Sequence, residues 1–185
     1  QSVVVELSTH ARPGTSDALG GGFGRITNGP HNGRPFVKIE LNGGYNAKWF
    51  ALMLGRTLPS VLLHELTHAA DFISGRPKSY FLPGTERGGR IPTESEVDPV
   101  AYYNDPGEVR AYMRQVYEGL SKDVHRILKQ DQKPHWARNL GSLINHLLRF
   151  DDTWRRISPH LTRQNRNKII KGVITAFEDE GTTPY

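Results

Sequence analysis

The segment Val61-Leu62-Leu63-His64-Glu65-Leu66-Thr67-His68-Ala69-Ala70-Asp71-Phe72 is the most informative in the chain. Its apolar run, free of Gly and Pro, predicts a helix that starts at Thr57 with Pro59 behind it and ends near Ser74, where Gly75 stops it. Residues four apart on a helix stand one above the other, so the rings of His64 and His68 can address one metal ion beside it. Glu65 sits next to that face and can reach a water at the ion without ligating the ion itself. Zinc brings the pKa of such a water toward about 7, where a carboxylate can take its proton. The plain alternative is a pair of core histidines satisfied by hydrogen bonds. Against it stands the cost of several ionisable groups in an otherwise apolar run with no metal or partner to compensate them.

Toward the N-terminus, Val3 to Leu7 is β-branched and short, which suits a buried strand. Gly20, Gly21, Gly22 and Gly24 read as a flexible loop without the Lys-Ser/Thr ending of a phosphate loop. Residues 23 to 27 and 36 to 41 flank a segment with two Asn-Gly pairs, the signature of a hairpin. In its second strand Val37, Ile39 and Leu41 alternate with Lys38 and Glu40, one face for the core and one for water. Asn46 can cap a short helix through Leu54, closed by Gly55.

Toward the C-terminus, residues 76 to 104 hold four prolines and several glycines without periodicity and read as a long irregular segment. Asp105-Pro106 then opens an amphipathic helix with Val109, Met113, Val116, Leu120, Val124 and Ile127 on one stripe. Further helical patterns occur at about 134 to 149 and 161 to 178. The expectation is a single α+β domain over 1–185, with sheet and site helix in 1–75, a loop in 76–104 and a helical part in 105–185.

The chain has 185 residues, 36% of them hydrophobic, a size that fits one domain with one core. No apolar run approaches the length of about 18 to 20 residues that a membrane span needs. The chain therefore reads as soluble, and its start at Gln1 suggests a processed product or an excised domain, which leaves the compartment unknown. With no cysteine, disulfides and thiolate sites are excluded, so any zinc must rest on imidazole, carboxylate and water. Residues 1–109 carry 10 basic and 11 acidic side chains, and residues 110–185 carry 14 and 8. That surplus in 110–185 is either the solvated face of amphipathic helices or a surface for nucleic acid or an acidic partner.

A catalytic zinc takes three protein ligands and keeps one position open, so a third donor is required. Glu108, 40 positions after His68 at the start of the amphipathic helix, is the candidate. Its competitor reading is a capping box, in which Asp105-x-x-Glu108 returns the Glu108 carboxylate to the Asp105 amide. Asp71, seven positions beyond His64, suits the task of holding one imidazole in its tautomer better than that of ligand. Its alternative is a surface carboxylate near the helix end. Tyr112, one turn after Glu108, can stabilise an oxyanion, with Tyr102 and Tyr103 as alternatives and a half-buried aromatic as the plain reading of each. The histidines at 10, 31, 125, 135, 146 and 160 lack a spacing partner and read as structural or exposed.

His64-Glu65-Leu66-Thr67-His68 resembles the active-site helix of the zincin metallopeptidases. With Ala69, Asp71 and Gly75 it is similar to the catalytic domain of anthrax lethal factor and its relatives, and Glu108-Val109-Arg110-Ala111 resembles the glutamate-bearing helix of the gluzincin branch. The resemblance implies a zincin-like fold, in which a small mixed or antiparallel sheet packs on the active-site helix, with a mostly helical part after it. It implies one catalytic zinc and a peptide or protein substrate that pairs with the strand at 36–41. The competing readings are a regulatory or nucleic-acid-associated protein, and an inactive interaction or structural module on the same fold.

Overall fold

The computed structural model describes residues 3–10, 19–25, 35–42, 47–74, 98–130, 132, 134–137 and 139–181. The chain divides into two compact units, Gln1–Glu96 and Val97–Tyr185, each with its own apolar cluster. The architecture is α+β: a small sheet with one helix in the first unit, helices alone in the second.

In the first unit the alternation expected at 36–41 is realised over its described side chains. Val37 and Ile39 are fully buried and Lys38 is half-buried, on strand β3 (Pro35–Asn42). Strand β2 (Leu19–Arg25) pairs antiparallel with it, Phe23 opposite Val37, as a hairpin requires; the turn between lies outside the described residues. The glycines expected in a loop are part of this strand, because main-chain pairing to β3 does not depend on their side chains. Strand β1 (Val4–His10) runs parallel to β3 on its other side, giving the order β1-β3-β2. Two expectations are corrected here. Among the described residues β1 is an edge strand, and Val5 on it is half exposed rather than buried. And β3, the strand expected to bind substrate main chain, is central and already hydrogen-bonded on both sides, so no further strand can add to it.

One helix, α1 (Ala47–Ile73), replaces the two expected, with Gly55 and Pro59 inside it. The missing N–H of Pro59 is the one that would bond the Gly55 carbonyl, so the two breaker signals mark a single absent rung rather than two ends. α1 lies on the sheet through Leu58, Val61, Leu62, Leu66 and Ala69, which surround Val37 and Ile39. Their spacing of three and four makes one stripe, and burying it fixes which other residues of α1 face elsewhere.

In the second unit Asp98 caps a short helix α2 (Pro99–Tyr103), in a stretch whose sequence reads as irregular. Helix α3 (Pro106–Leu128) comes next, with Asp105 as cap and Pro106 at its first position. Five of the six residues of its stripe, Val109, Val116, Leu120, Val124 and Ile127, are each no more than 5% exposed, and the sixth, Met113, is half-buried. The expected helix at 134–149 is a 3-10 turn (His135–Ala137) and then α4 (Leu140–Leu147), started by the Asn139 side chain on the Ser142 amide. Helix α5 (Asp152–Ile157), capped by Asp151, has no counterpart among the expected elements, and α6 (Arg163–Asp179) matches its expected span. α5 approaches α3 closely: a methyl added at Gly119 would meet Asp151 Oδ2 at 2.6 Å, so a larger side chain there would push the cap aside. Among the described residues no helix is long and apolar enough to cross a membrane.

Candidate metal centre

His64 and His68 stand one turn apart on α1, with Nε2 atoms 3.2 Å from each other and ring centroids 4.9 Å apart. A tetrahedral zinc with bonds of about 2.0–2.1 Å needs two imidazole nitrogens roughly 3.3 Å apart. The pair has that separation, which is also that of a hydrogen bond from one ring nitrogen to the other. His64 is 6% exposed and His68 is half-buried, so the first ring is largely withdrawn from water and the second is within its reach. Thr67, between them, spends its hydroxyl on the Leu63 carbonyl at 2.8 Å and does not compete.

Glu65 is one residue on from His64, about 100° round the helix, toward the stripe that covers the sheet. It is 8% exposed. A carboxylate in that position borders the histidine face without sharing it, which is the offset a non-ligating base needs. Asp71 is 7% exposed, which removes the surface-carboxylate reading. It stands three residues beyond His68 and seven beyond His64, on the imidazole side of α1.

In the second unit the Asp105 side chain accepts from the amides of Gly107 at 2.8 Å and Glu108 at 3.4 Å. The Asp105 amide itself donates to the Tyr102 carbonyl at 3.1 Å. The amide that the returning half of a capping box would use thus has a turn bond. Glu108 is 4% exposed. Tyr112, one turn on, is 3% exposed, and its phenol is pushed well above its ordinary value, first by burial and then by the nearby Glu108 carboxylate. Tyr112 thus keeps its proton across any working pH, as an oxyanion donor must. Tyr102 hydrogen-bonds to its hydroxyl, and Tyr103 lies against its ring at 5.4 Å. The alternatives Tyr102 and Tyr103 are thus neighbours that hold Tyr112, and Tyr103, 1% exposed, is wholly enclosed.

Two residues near this group carry no sequence motif. Asn104 ties the corner before α3 to the start of α6. Its amide donates to the carbonyls of Val100 and His160, and its Oδ1 accepts from the Thr162 amide and Asn165 Nδ2. Arg156 on α5 places its guanidinium 5.8 Å over the Tyr112 ring. Neither is legible in the sequence, since His160, Thr162 and Asn165 for Asn104, and Tyr112 for Arg156, lie more than 40 positions away. The remaining described histidines include three with structural partners: His125 with the Ser121 carbonyl, His146 stacked on Trp136, and His160 stacked on Tyr103.

No protein-family model matches the chain, and no curated protein or solved structure matches it either.

Proposed function

We propose that this chain is a zinc-dependent endopeptidase, with His64, His68 and Glu108 holding one ion and Glu65 as general base. The observation that carries the reading is the 3.2 Å separation of two imidazole nitrogens on α1, with a buried carboxylate next in sequence. Two things support Glu108 in the third place. It is buried, and the Asp105 amide that a capping box would offer it already donates to the Tyr102 carbonyl. Two nitrogens and one oxygen without sulfur suit zinc and leave its fourth position open.

When bound, zinc polarises a peptide carbonyl and acidifies a water beside it. Glu65 takes the proton as that water attacks and passes it to the departing amine, so one carboxylate serves as base and then as acid. Tyr112, protonated because it is buried, is the donor assigned to the oxyanion. Asp71 is assigned to steady an imidazole, which fixes which ring nitrogen offers its lone pair. Substrate main chain falls to an edge strand, β1 or β2, since β3 is paired on both sides.

Replacing Glu65 by Gln tests this, because it removes the base at nearly constant size and leaves both imidazoles. The wild-type chain should cleave members of a randomised peptide library in a zinc-dependent way. Glu65→Gln should retain zinc and lose turnover by about 100-fold or more. Cleavage by the variant at the wild-type rate contradicts the proposal.

A further inference from the structure

Between α3 and α6 of the second unit lies a groove of about 300 Å³ that the peptidase reading does not use. The Tyr117 ring packs on Phe177 at 4.6 Å, and His125 Nε2 stands 4.0 Å from Glu180 Oε2. Met113 lies against Gly172, where an added methyl would collide with its sulfur. These pairs rise together along both helices, so α3 and α6 run side by side in the same direction. Gly172 and Ala176 leave the α6 side of the groove low, and Met113 and Tyr117 wall it on α3.

The groove is lined by charges of both signs. Arg114, next to Met113 on α3, belongs to the Gly172 end, and Asp179 and Glu180 belong to the other end, two turns of α6 away. Among the described residues no ion pair joins Arg114 to either carboxylate. Helix α6 also closes on Glu178, Asp179 and Glu180 with no basic residue in its last turn, at the end where the helix dipole is itself negative. That accumulation is unfavourable within the chain and favours a cation brought from outside it. The Tyr117 phenol, pushed up to about 12 by burial first and the Glu180 carboxylate next, stays neutral and leaves the negative charge to the two acids.

A lone anion entering the groove meets Asp179 and Glu180, and a lone cation meets Arg114. A molecule with an ammonium at one end and a carboxylate at the other matches both. Two helical turns cover about 10.5 Å, and three extended residues cover roughly the same distance. The volume is at the small end of ligand sites, which hold about 300–1,000 Å³. We propose that this groove binds a short peptide of about three residues with both termini free, its ammonium on Asp179 and Glu180 and its carboxylate on Arg114. Such binding needs neither a metal nor Glu65, and so stands or falls apart from the peptidase reading.

The test is titration of the full Glu65→Gln chain in EDTA, which excludes both turnover and an occupied metal centre. Trialanine, N-acetyl-trialanine and trialanine amide are compared by NMR chemical shifts. Trialanine should bind, and blocking either terminus should weaken it about tenfold. Arg114→Gln should remove the penalty for the amide and keep that for the acetyl group. Asp179→Asn combined with Glu180→Gln should do the reverse, and Ala176→Phe, which fills the groove, should abolish binding. The proposal is overturned if trialanine shifts no resonance up to about 10 mM, or if the three forms bind alike. It is also overturned if the charge variants weaken all three forms equally.

Discussion

Among single residues, Asp151 joins a favourable local bond to an unfavourable charge. Its side chain caps α5, yet burial raises its carboxyl above the ordinary value, opposed only in part by the Trp154 amide. A raised folded value means the folded chain holds a proton that the unfolded chain has already released. Asp151 therefore lowers stability as pH rises from the ordinary carboxylate value through its raised one, and the loss is complete above that. Asp151→Asn keeps the cap and removes the charge, so thermal melts should show it as stable as the wild type or more so at neutral pH, with the advantage fading in acid. Asp151→Ala, which loses the cap, should cost about 1 kcal/mol. Gln115 presents a related case on α3: it is 6% exposed and its Oε1 has no hydrogen-bond partner among the described residues. Gln115→Met, similar in shape, should raise stability by about 1 kcal/mol in a denaturant titration. A loss of that size would show that the amide does have a partner.

Among the helices and strands, legibility tracked the strength of local pattern. The stripe of α3 is readable because six apolar residues recur at helical spacing, and the Asp105-Pro106 start because cap and proline coincide. The face of α1 with His64 and His68 is readable for the same reason. What misleads is punctuation. Gly55 and Pro59 read as two boundaries and are one missing rung inside α1, and the glycines at 20–24 read as a loop and are strand β2, because tertiary pairing overrides local preference. Spacing alone also leaves the role of Glu108 open between ligand and cap. A turn bond, invisible in any spacing rule, gives the Asp105 amide the Tyr102 carbonyl as a partner. Both features of local punctuation can be tested by substitution. Pro59 is exposed, so Pro59→Ala should restore the rung to Gly55 and stabilise the first unit by roughly 1–3 kcal/mol, with zinc affinity unchanged. Asp105→Ala should cost about 1 kcal/mol of helix stability and, by loosening the first turn that carries Glu108, weaken zinc binding as well; isothermal titration with zinc checks the second effect.

For the molecule as a whole, the α+β class is legible in the sequence and the placement of the strands is not. The length suggests one core, and the described residues hold two apolar clusters, one in each unit. Strand order is set by long-range pairing, so a central β3 cannot be told from an edge strand by its alternation alone. The basic surplus in 110–185 is carried in part by exposed side chains with local partners, such as Arg126 with Asp123 at 2.8 Å, as expected for a solvated helical face. The proposed function stands on one zinc ion held by His64, His68 and Glu108, and metal content reports on that directly. Elemental analysis after dialysis at a fixed concentration of unbound zinc should find about one ion per wild-type chain. At the same zinc concentration, folded His64→Ala and His68→Ala should hold essentially none, and folded Glu108→Ala should bind about 100-fold more weakly or worse. A wild-type chain that takes up no zinc, or a Glu108→Ala chain that keeps it as tightly as the wild type, would contradict the proposed centre.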